Sequence, residues 1–259
     1  MSPGAAHGEL FPRPRAVVAP GAVHVPDWLS VERQRELVDS CREWARGPVP
    51  IRHTVLPGGG VMSVQTVCVG WHWQPYRYTR TAGDVNGARV AAFPDWLVQL
   101  GRAALAEAYG EQVADGPPAN GPLIDGPLVH GPLVNGVGSG DPRAGAVYGG
   151  PAYTPDTALI NFYESAAKMG MHQDKDEKSD APVVSLSIGD TCVFRFGQAE
   201  NRGRPYTDVE LASGDLFVFG GPSRFAYHGV PKVYPGTAAP ATGVKSGRLN
   251  ITLRETGLA

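Results

Sequence analysis

Residues 171–190 read MHQDKDEKSDAPVVSLSIGD, a histidine set among carboxylates that runs directly into an apolar, strand-like stretch. His172 and Asp174 stand at i and i+2, a spacing that puts both side chains on one face of an extended segment. An imidazole and a carboxylate presented this way supply two of the three ligands of a facial triad. That arrangement leaves three positions of an octahedral metal such as non-heme Fe(II) open for an oxidant and a co-substrate. His228, in SRFAYHGV just after DLFVFGG, is the candidate third ligand. An HxD pair is by itself common in solvated loops, so its meaning depends on what surrounds it.

Downstream, ALINFY, PVVSLSIG, CVFRFG, DLFVFG and RLNITLR are short alternating or apolar runs broken by Gly, Pro or Asp. They predict an antiparallel sandwich or barrel. In RLNITLR, Arg248, Asn250, Thr252 and Arg254 alternate with Leu249, Ile251 and Leu253, so the polar set projects from the face opposite the aliphatic one. Two arginines aimed into a barrel require anions, and a dicarboxylate supplies two. Asn161 and Tyr163 in INFY, again i and i+2, offer an amide and a phenol from a neighbouring strand. The alternative reading of the arginines is an outward-facing sheet edge.

Upstream, residues 1–26 are rich in Pro, Gly and Ala and predict an irregular arm. Ser30 caps a helix over VERQRELVDSCREWA, with Leu37, Val38, Cys41 and Trp44 on one face. A second helix is expected from Pro94 to Tyr109, with Leu97, Leu100, Ala104 and Ala108 as its buried stripe. Between the helices, residues 52–80 hold a Gly turn and then Trp71, Trp73, Tyr76 and Tyr78, interleaved with His72, Arg77 and Arg80. Such charges must reach water, so some of these rings are candidates to line a ligand surface. Residues 116–151 contain NGPLI, DGPLV and HGPLV, a period-five repeat too rich in Gly and Pro for a helix or ladder strand; the repeat predicts a surface loop.

The chain has 259 residues and a formal net charge of −2, so no global positive field gathers nucleic acid. Three cysteines without CxxC spacing, Cys41, Cys68 and Cys192, suggest reduced thiols and a cytoplasmic protein. No run approaches the roughly 18 apolar residues of a membrane span, and no membrane partner is expected.

Taken in order, NFY, HQDKDE, APVVSLSIGD, GDLFVFGG, YHG and RLNITLR, with PGGGVMSVQT and the GW/YRY aromatics before them, resemble the AlkB-type Fe(II)- and 2-oxoglutarate-dependent dioxygenases. HxD alone is weak; HQDKDE with YHG and RxNxTxR in register is specific. The resemblance implies an α+β, mainly β fold: a double-stranded β-helix (jelly-roll) core buttressed by N-terminal helices, forming one dioxygenase domain over 27–259. It implies Fe(II) held by His172, Asp174 and His228, and the co-substrate 2-oxoglutarate held by Asn161, Tyr163, Arg248, Asn250 and Arg254. Segment 52–80 becomes the nucleotide-recognition segment. Trp71, Tyr76, Tyr78, Asp176 and Arg202 become substrate-binding residues, Trp71 stacking on a flipped base and Asp176 contacting its exocyclic amine. The stretch from Trp71 to Tyr76 is shorter than in the bacterial prototype, which leaves Trp73 open as the stacking ring. The implied activity is oxidative demethylation of 1-methyladenine and 3-methylcytosine in DNA, single-stranded for preference, or in RNA, by a monomeric enzyme. A related dioxygenase acting on RNA, protein or a small molecule is the alternative, and a silent nucleic-acid-binding module is a further one.

Overall fold

The computed structural model of the protein describes residues 12–110 and 153–259. The repeat segment 116–151 lies outside the described residues.

Strand β14 (Arg248–Arg254) runs antiparallel between β7 (Thr157–Tyr163) and β9 (Val183–Gly189). Its register sets Arg248 opposite Tyr163, Asn250 opposite Asn161 and Arg254 opposite Thr157. Leu249, Ile251 and Leu253 enter one apolar cluster together with Leu37, Leu97 and Leu105 of the helices. By alternation the two arginines, Asn250 and Thr252 face the other way. A slip of one residue would exchange the two sets and place guanidinium groups among the helix leucines. The alternation read from RLNITLR is therefore what fixes the site-bearing face.

The sheet extends from β9 through β12 (Leu216–Phe219) and β2 (Ala22–Val25) to β1 (Ala16–Ala19). On the other side it runs from β7 through β4 (Val61–Val69) to β3 (Arg52–Val55). Helix α1 (Val31–Ala45) begins where Ser30 Oγ accepts the Arg33 N–H at 3.3 Å, and α2 (Asp95–Tyr109) follows Pro94. Both helices pack on one face of this sheet, where Leu37, Val38, Leu97 and Leu100 are buried. Trp44 is only partly buried and stacks on Trp96 with ring centroids 5.9 Å apart.

A second sheet, in the order β11 (Thr207–Leu211), β10 (Cys192–Phe196), β13 (His228–Val233) and β8 (Met169–His172), lies over the polar face of β14. Phe194, Phe196, Phe217 and Phe219 fill the space between the sheets at one end. The two facing sheets are the expected double-stranded β-helix, and the polar end of their interior is the site. A small hairpin of β5 (His72–Gln74) and β6 (Arg77–Thr79) stands beside it.

The N-terminal stretch departs from the irregular arm expected over 1–26. Residues 16–25 form β1 and β2, and β2 pairs with β12 as part of the main sheet. AVHV carries the period-two pattern, but the flanking Pro and Gly obscured it. Gly21 turns the chain at φ +78° so close to Gly220 O that a Cβ would sit 2.3 Å from it. Asp215 then ties this stretch down. Fully buried, it accepts hydrogen bonds from Arg13 Nη1 at 2.7 Å, Arg13 Nη2 at 2.6 Å, the Asp27 N–H at 3.0 Å and the Ala212 N–H at 3.0 Å, and meets His24 Nε2 at 2.8 Å. Burial alone would raise its pKa, but the hydrogen bonds from His24 and Arg13 hold it below the ordinary carboxylate value.

Because the folded value is depressed, the stabilisation is complete above the unfolded pKa, about 3.9, and drains away as pH falls below it. Asp215→Asn is expected to cost about 3 kcal/mol at neutral pH, since it removes the buried charge that Arg13 and His24 meet, although Arg13 keeps Asp27. Thermal melts from pH 7 to pH 3 should show the variant losing less stability on acidification than the parent.

Candidate active site

Strand β8 ends at His172, and β13 begins at His228, its direct partner across the ladder. Their rings lie 4.5 Å apart. Each ring is oriented by its Nδ1, which faces a carbonyl two residues back: Gly170 O at 2.9 Å for His172 and Ala226 O at 3.0 Å for His228. A carbonyl only accepts, so the proton sits on Nδ1 and both Nε2 lone pairs are left toward Asp174. Asp174 Oδ1 is 3.6 Å from His172 Nε2, and Oδ2 is 3.5 Å from His228 Nε2. These separations are too long for good hydrogen bonds. Ligand atoms of the three residues lie within 4.8 Å of one another, so one cation can bridge all three. Burial, then the neighbouring His228, pulls the His172 pKa below its usual value, so the ring is neutral at neutral pH, the form that ligates metal.

The chamber beside these ligands is lined by Asn161, Tyr163, Arg248, Asn250 and Arg254. The five residues come from β7 and β14 at facing positions, as their spacing implied. The two arginines are not equivalent. Arg248 donates from Nε to Ser187 Oγ at 3.0 Å and lies 5.0 Å from the Tyr163 ring, while its buried Nη1 has no partner. Among the described residues it has no carboxylate partner. Arg254 is already engaged: Nη2 is 2.8 Å from Asp174 Oδ2, and Nη1 is 3.1 Å from Glu177 Oε1 and 3.1 Å from the Tyr78 hydroxyl. Only its Nε is buried without a partner. Burial would push the Asp174 carboxyl up, but Arg254 and the two histidines hold it far below the ordinary range, so it is ionised throughout. Unpartnered donors on both arginines, beside a three-ligand cluster, are the features a metal with a bound dicarboxylate would complete.

Glu177 is the residue that spacing did not single out. Its carboxylate is fully buried; it bonds Arg254, receives Arg224 Nη2 at 3.1 Å and accepts from Tyr78 at 2.5 Å. Burial raises its pKa, yet Arg254, Tyr78 and Arg224 bring the balance below the ordinary value. Arg224 also donates to the Asp174 carbonyl at 2.6 Å. A glutamate inside the acidic run DKDE reads as a solvated charge, and nothing in sequence places it between two arginines.

The residues implied for substrate are scattered by comparison. Trp71 is buried, with Arg80 3.5 Å above its ring and its indole N–H bonded to Asp156 at 2.8 Å. This Trp faces the interior in the structure. Tyr78 lies under the site in the Glu177 network. Tyr76 occupies the hairpin tip at φ +72° and is 72% exposed. Arg202 sits over Tyr227 at 5.7 Å, next in sequence to His228. Asp176 meets Trp73 Nε1 at 2.8 Å. The geometry therefore brings together the metal and co-substrate set and separates the aromatic set.

A chamber of this kind, with a His-x-Asp pair and a distant His at the mouth of a β-helix, has the layout of a mononuclear iron oxygenase. A family profile described as the 2OG-Fe(II) oxygenase superfamily matches residues 21–254. The chain is similar to the DNA N(6)-methyladenine demethylase ALKBH1D of Arabidopsis thaliana, 30% identical over 247 residues that cover 92% of this chain and 50% of the relative. It is 41% identical over 116 residues to the alpha-ketoglutarate-dependent dioxygenase AlkB of Escherichia coli, covering 44% of this chain and 52% of that one. Among solved structures, OsALKBH1 superposes with a TM-score of 0.73 at 29% identity, covering 93% of this chain and all of that one. The chain belongs to the 2OG-Fe(II) oxygenase superfamily, in its AlkB family, whose members use Fe(II) and 2-oxoglutarate. It spans about half the length of these two sequence relatives.

Arg254→Met is expected to destabilise the protein by about 3–5 kcal/mol, because it leaves Asp174 as a buried carboxylate without its guanidinium partner, while Glu177 keeps Arg224. Denaturant titration checks the loss. Pairing it with Asp174→Asn should recover part of it, since the second change removes the stranded charge.

Proposed function

We propose that this chain oxidatively demethylates N-alkylated nucleobases, 1-methyladenine and 3-methylcytosine, in DNA, single-stranded for preference, with RNA as a second polymer, and that it acts as a monomer. The observation that carries the reading is the three-ligand cluster of His172, Asp174 and His228 sharing one chamber with Arg248 and Arg254, whose donors Nη1 and Nε are buried and unpartnered. In this reading the three ligands hold Fe(II). Arg248 takes the far carboxylate of 2-oxoglutarate, while Asn161, Tyr163 and Asn250 line its path. Arg254 contributes Nε to the near end while holding Asp174 ionised. Bound Fe(II) and 2-oxoglutarate supply the oxidising chemistry with dioxygen, turning an N-methyl carbon into formaldehyde as 2-oxoglutarate goes to succinate and carbon dioxide.

The protein's own residues then bind, orient and exclude water. The β5–β6 hairpin carries the aromatic groups, and an alkylated Watson–Crick edge pairs poorly, so the damaged base leaves the stack at the lowest cost. Asp176 offers a carboxylate to the exocyclic amine of a cationic base. Arg77, exposed at the hairpin tip, and Arg202 are placed to meet phosphates. Arg52 and Arg80 are tied to backbone carbonyls and serve the hairpin itself. The relatives named above are demethylases or dioxygenases by name, which supports the reaction class.

The test is anaerobic loading with Fe(II) and 2-oxoglutarate, followed by air and a single-stranded oligonucleotide carrying 1-methyladenine or 3-methylcytosine. Mass spectrometry should show methyl loss with equimolar formaldehyde, and none with His172→Ala. Arg248→Met should raise the KM for 2-oxoglutarate at least 100-fold, in keeping with the loss of a charged, hydrogen-bonded carboxylate contact. Succinate formed with the oligonucleotide unchanged would retain the dioxygenase and discard this substrate.

A further inference from the structure

We propose that the groove between α1 and the main sheet is a binding site for a medium-chain acyl carboxylate, distinct from the chamber that holds the metal ligands. The inference does not depend on the nucleobase reading above.

Strands β7 and β14 line a space on each of their faces. Asn161, Arg248 and Asn250 look into the chamber, and Ile160 and Leu249, each one position away, look the other way. There, with Val67 of β4, they floor a groove of about 320 Å³ whose wall is Val38, Cys41 and Ala45 of α1. The space left in the chamber is about 30 Å³. Burial pushes the Cys41 thiol pKa up, so the thiol stays uncharged and serves as a small apolar group. Apolar cavities hold water poorly, and a cavity of about 150 Å³ takes benzene with its six carbons, so this groove takes roughly ten to twelve. Its size lies within the range of small-molecule pockets.

The groove is held open. Residues 239–246 form a strap along its edge, where Val244 and Lys245 complete the lining. Arg35 of α1 donates from Nε at 3.1 Å and Nη2 at 2.7 Å to the Ala241 carbonyl, and Arg42 donates from Nη2 to the Gly243 carbonyl at 2.6 Å. Asp190, fully buried, fixes the strap at both ends: Oδ1 accepts the N–H of Thr237 at 3.0 Å and of Ala238 at 2.9 Å, and Oδ2 accepts that of Gly247 at 2.8 Å. Helix, strap and sheet are therefore kept at set distances, and the walls do not collapse onto one another.

The rim sets the charge of the occupant. The lining contains the cations Arg42 and Lys245 and no carboxylate. Arg42 is paired with Asp39 at 2.8 Å, whereas the exposed side chains of Lys245 and Ser246 meet no partner among the described residues. An apolar trough that ends at a free ammonium beside a hydroxyl fits a chain with one anionic head. The chain displaces water from Ile160 and Leu249, and the carboxylate accepts from Lys245 Nζ and Ser246 Oγ.

The experiment titrates the full chain with decanoate, decan-1-ol and decylamine by calorimetry, and with the even-numbered carboxylates from six to fourteen carbons. Affinity should rise about fourfold per methylene and level off near ten to twelve carbons, where the groove is full. Decylamine should bind more weakly than decan-1-ol. Lys245→Gln should weaken decanoate at least tenfold and leave decan-1-ol within about twofold, the size expected for a charge-assisted hydrogen bond. Ala45→Trp fills the trough and should abolish binding of both; should it fail to fold, Lys245→Gln and the chain-length series still decide. In methyl NMR spectra, Val67, Ile160 and Leu249 should shift with decanoate while Val230, which lines the chamber, does not. Absence of binding, equal losses of acid and alcohol in Lys245→Gln, affinity that keeps rising to fourteen carbons, or shifts at Val230 instead would overturn the assignment. So would decanoate binding that vanishes as the chain dimerises in sedimentation, which gives the groove to a second copy, or binding to phosphatidylglycerol vesicles with none to decanoate, which gives it to a membrane.

Discussion

The contact on which the site depends is the 2.8 Å approach of Arg254 to Asp174. Both are buried, and burying two charges costs several kcal/mol each unless geometry and further hydrogen bonds offset it. Here the offset is shared. Glu177 and the Tyr78 hydroxyl take the other guanidinium nitrogen, and Arg224 neutralises Glu177 in turn. The result is a carboxylate kept ionised and aimed at two imidazole nitrogens that are themselves aimed by backbone carbonyls. Preorganisation of this kind removes the reorganisation cost of assembling a ligand set around an incoming cation.

The same network ties together parts of the chain that lie far apart in sequence. Tyr78 belongs to the β5–β6 hairpin, Asp174 and Glu177 to the segment after β8, Arg224 to the turn before β13, and Arg254 to the last strand. A disturbance of the hairpin therefore reaches a metal ligand through two hydrogen-bonded groups, without crossing the apolar core. Arg52 joins the hairpin to β4 by bonding both the Trp73 and the Thr66 carbonyls, and Arg80 bonds the Gly70 carbonyl just before it. An arginine of this segment can thus be internal scaffolding, as Arg52 and Arg80 are through their bonds to backbone carbonyls.

What was legible in the sequence follows from periodicity. The alternation of RLNITLR and the i, i+2 pairs in NFY and HQD are local rules, and the structure puts those residues where the rules require. Helices α1 and α2 were legible for the same reason, from their 3.6-residue stripes and from Ser30 and Pro94. The strands at 16–25 were not, because each is four residues long and set among Pro and Gly, and their pairing partner β12 is some 190 residues away. Glu177 and Arg224 were illegible on other grounds. Their roles come from tertiary pairing, and a charge in an acidic run or beside an aromatic carries no period. The surroundings of Trp71 were not legible either, since its indole N–H meets Asp156, 85 positions away in sequence.

The asymmetry of the two arginines carries one more consequence. Asp174 and Glu177 are balanced by Arg254 and Arg224, so before any ligand binds, the buried centre holds a single uncompensated cation, Arg248. A divalent metal alone would triple that charge in a low-dielectric interior, and a dianion alone would invert it while facing Asp174 across the chamber. Arriving together, they leave the charge of the centre unchanged. The electrostatics of these residues therefore favour joint occupancy, with each ligand raising the affinity for the other, and reciprocity follows from thermodynamic linkage.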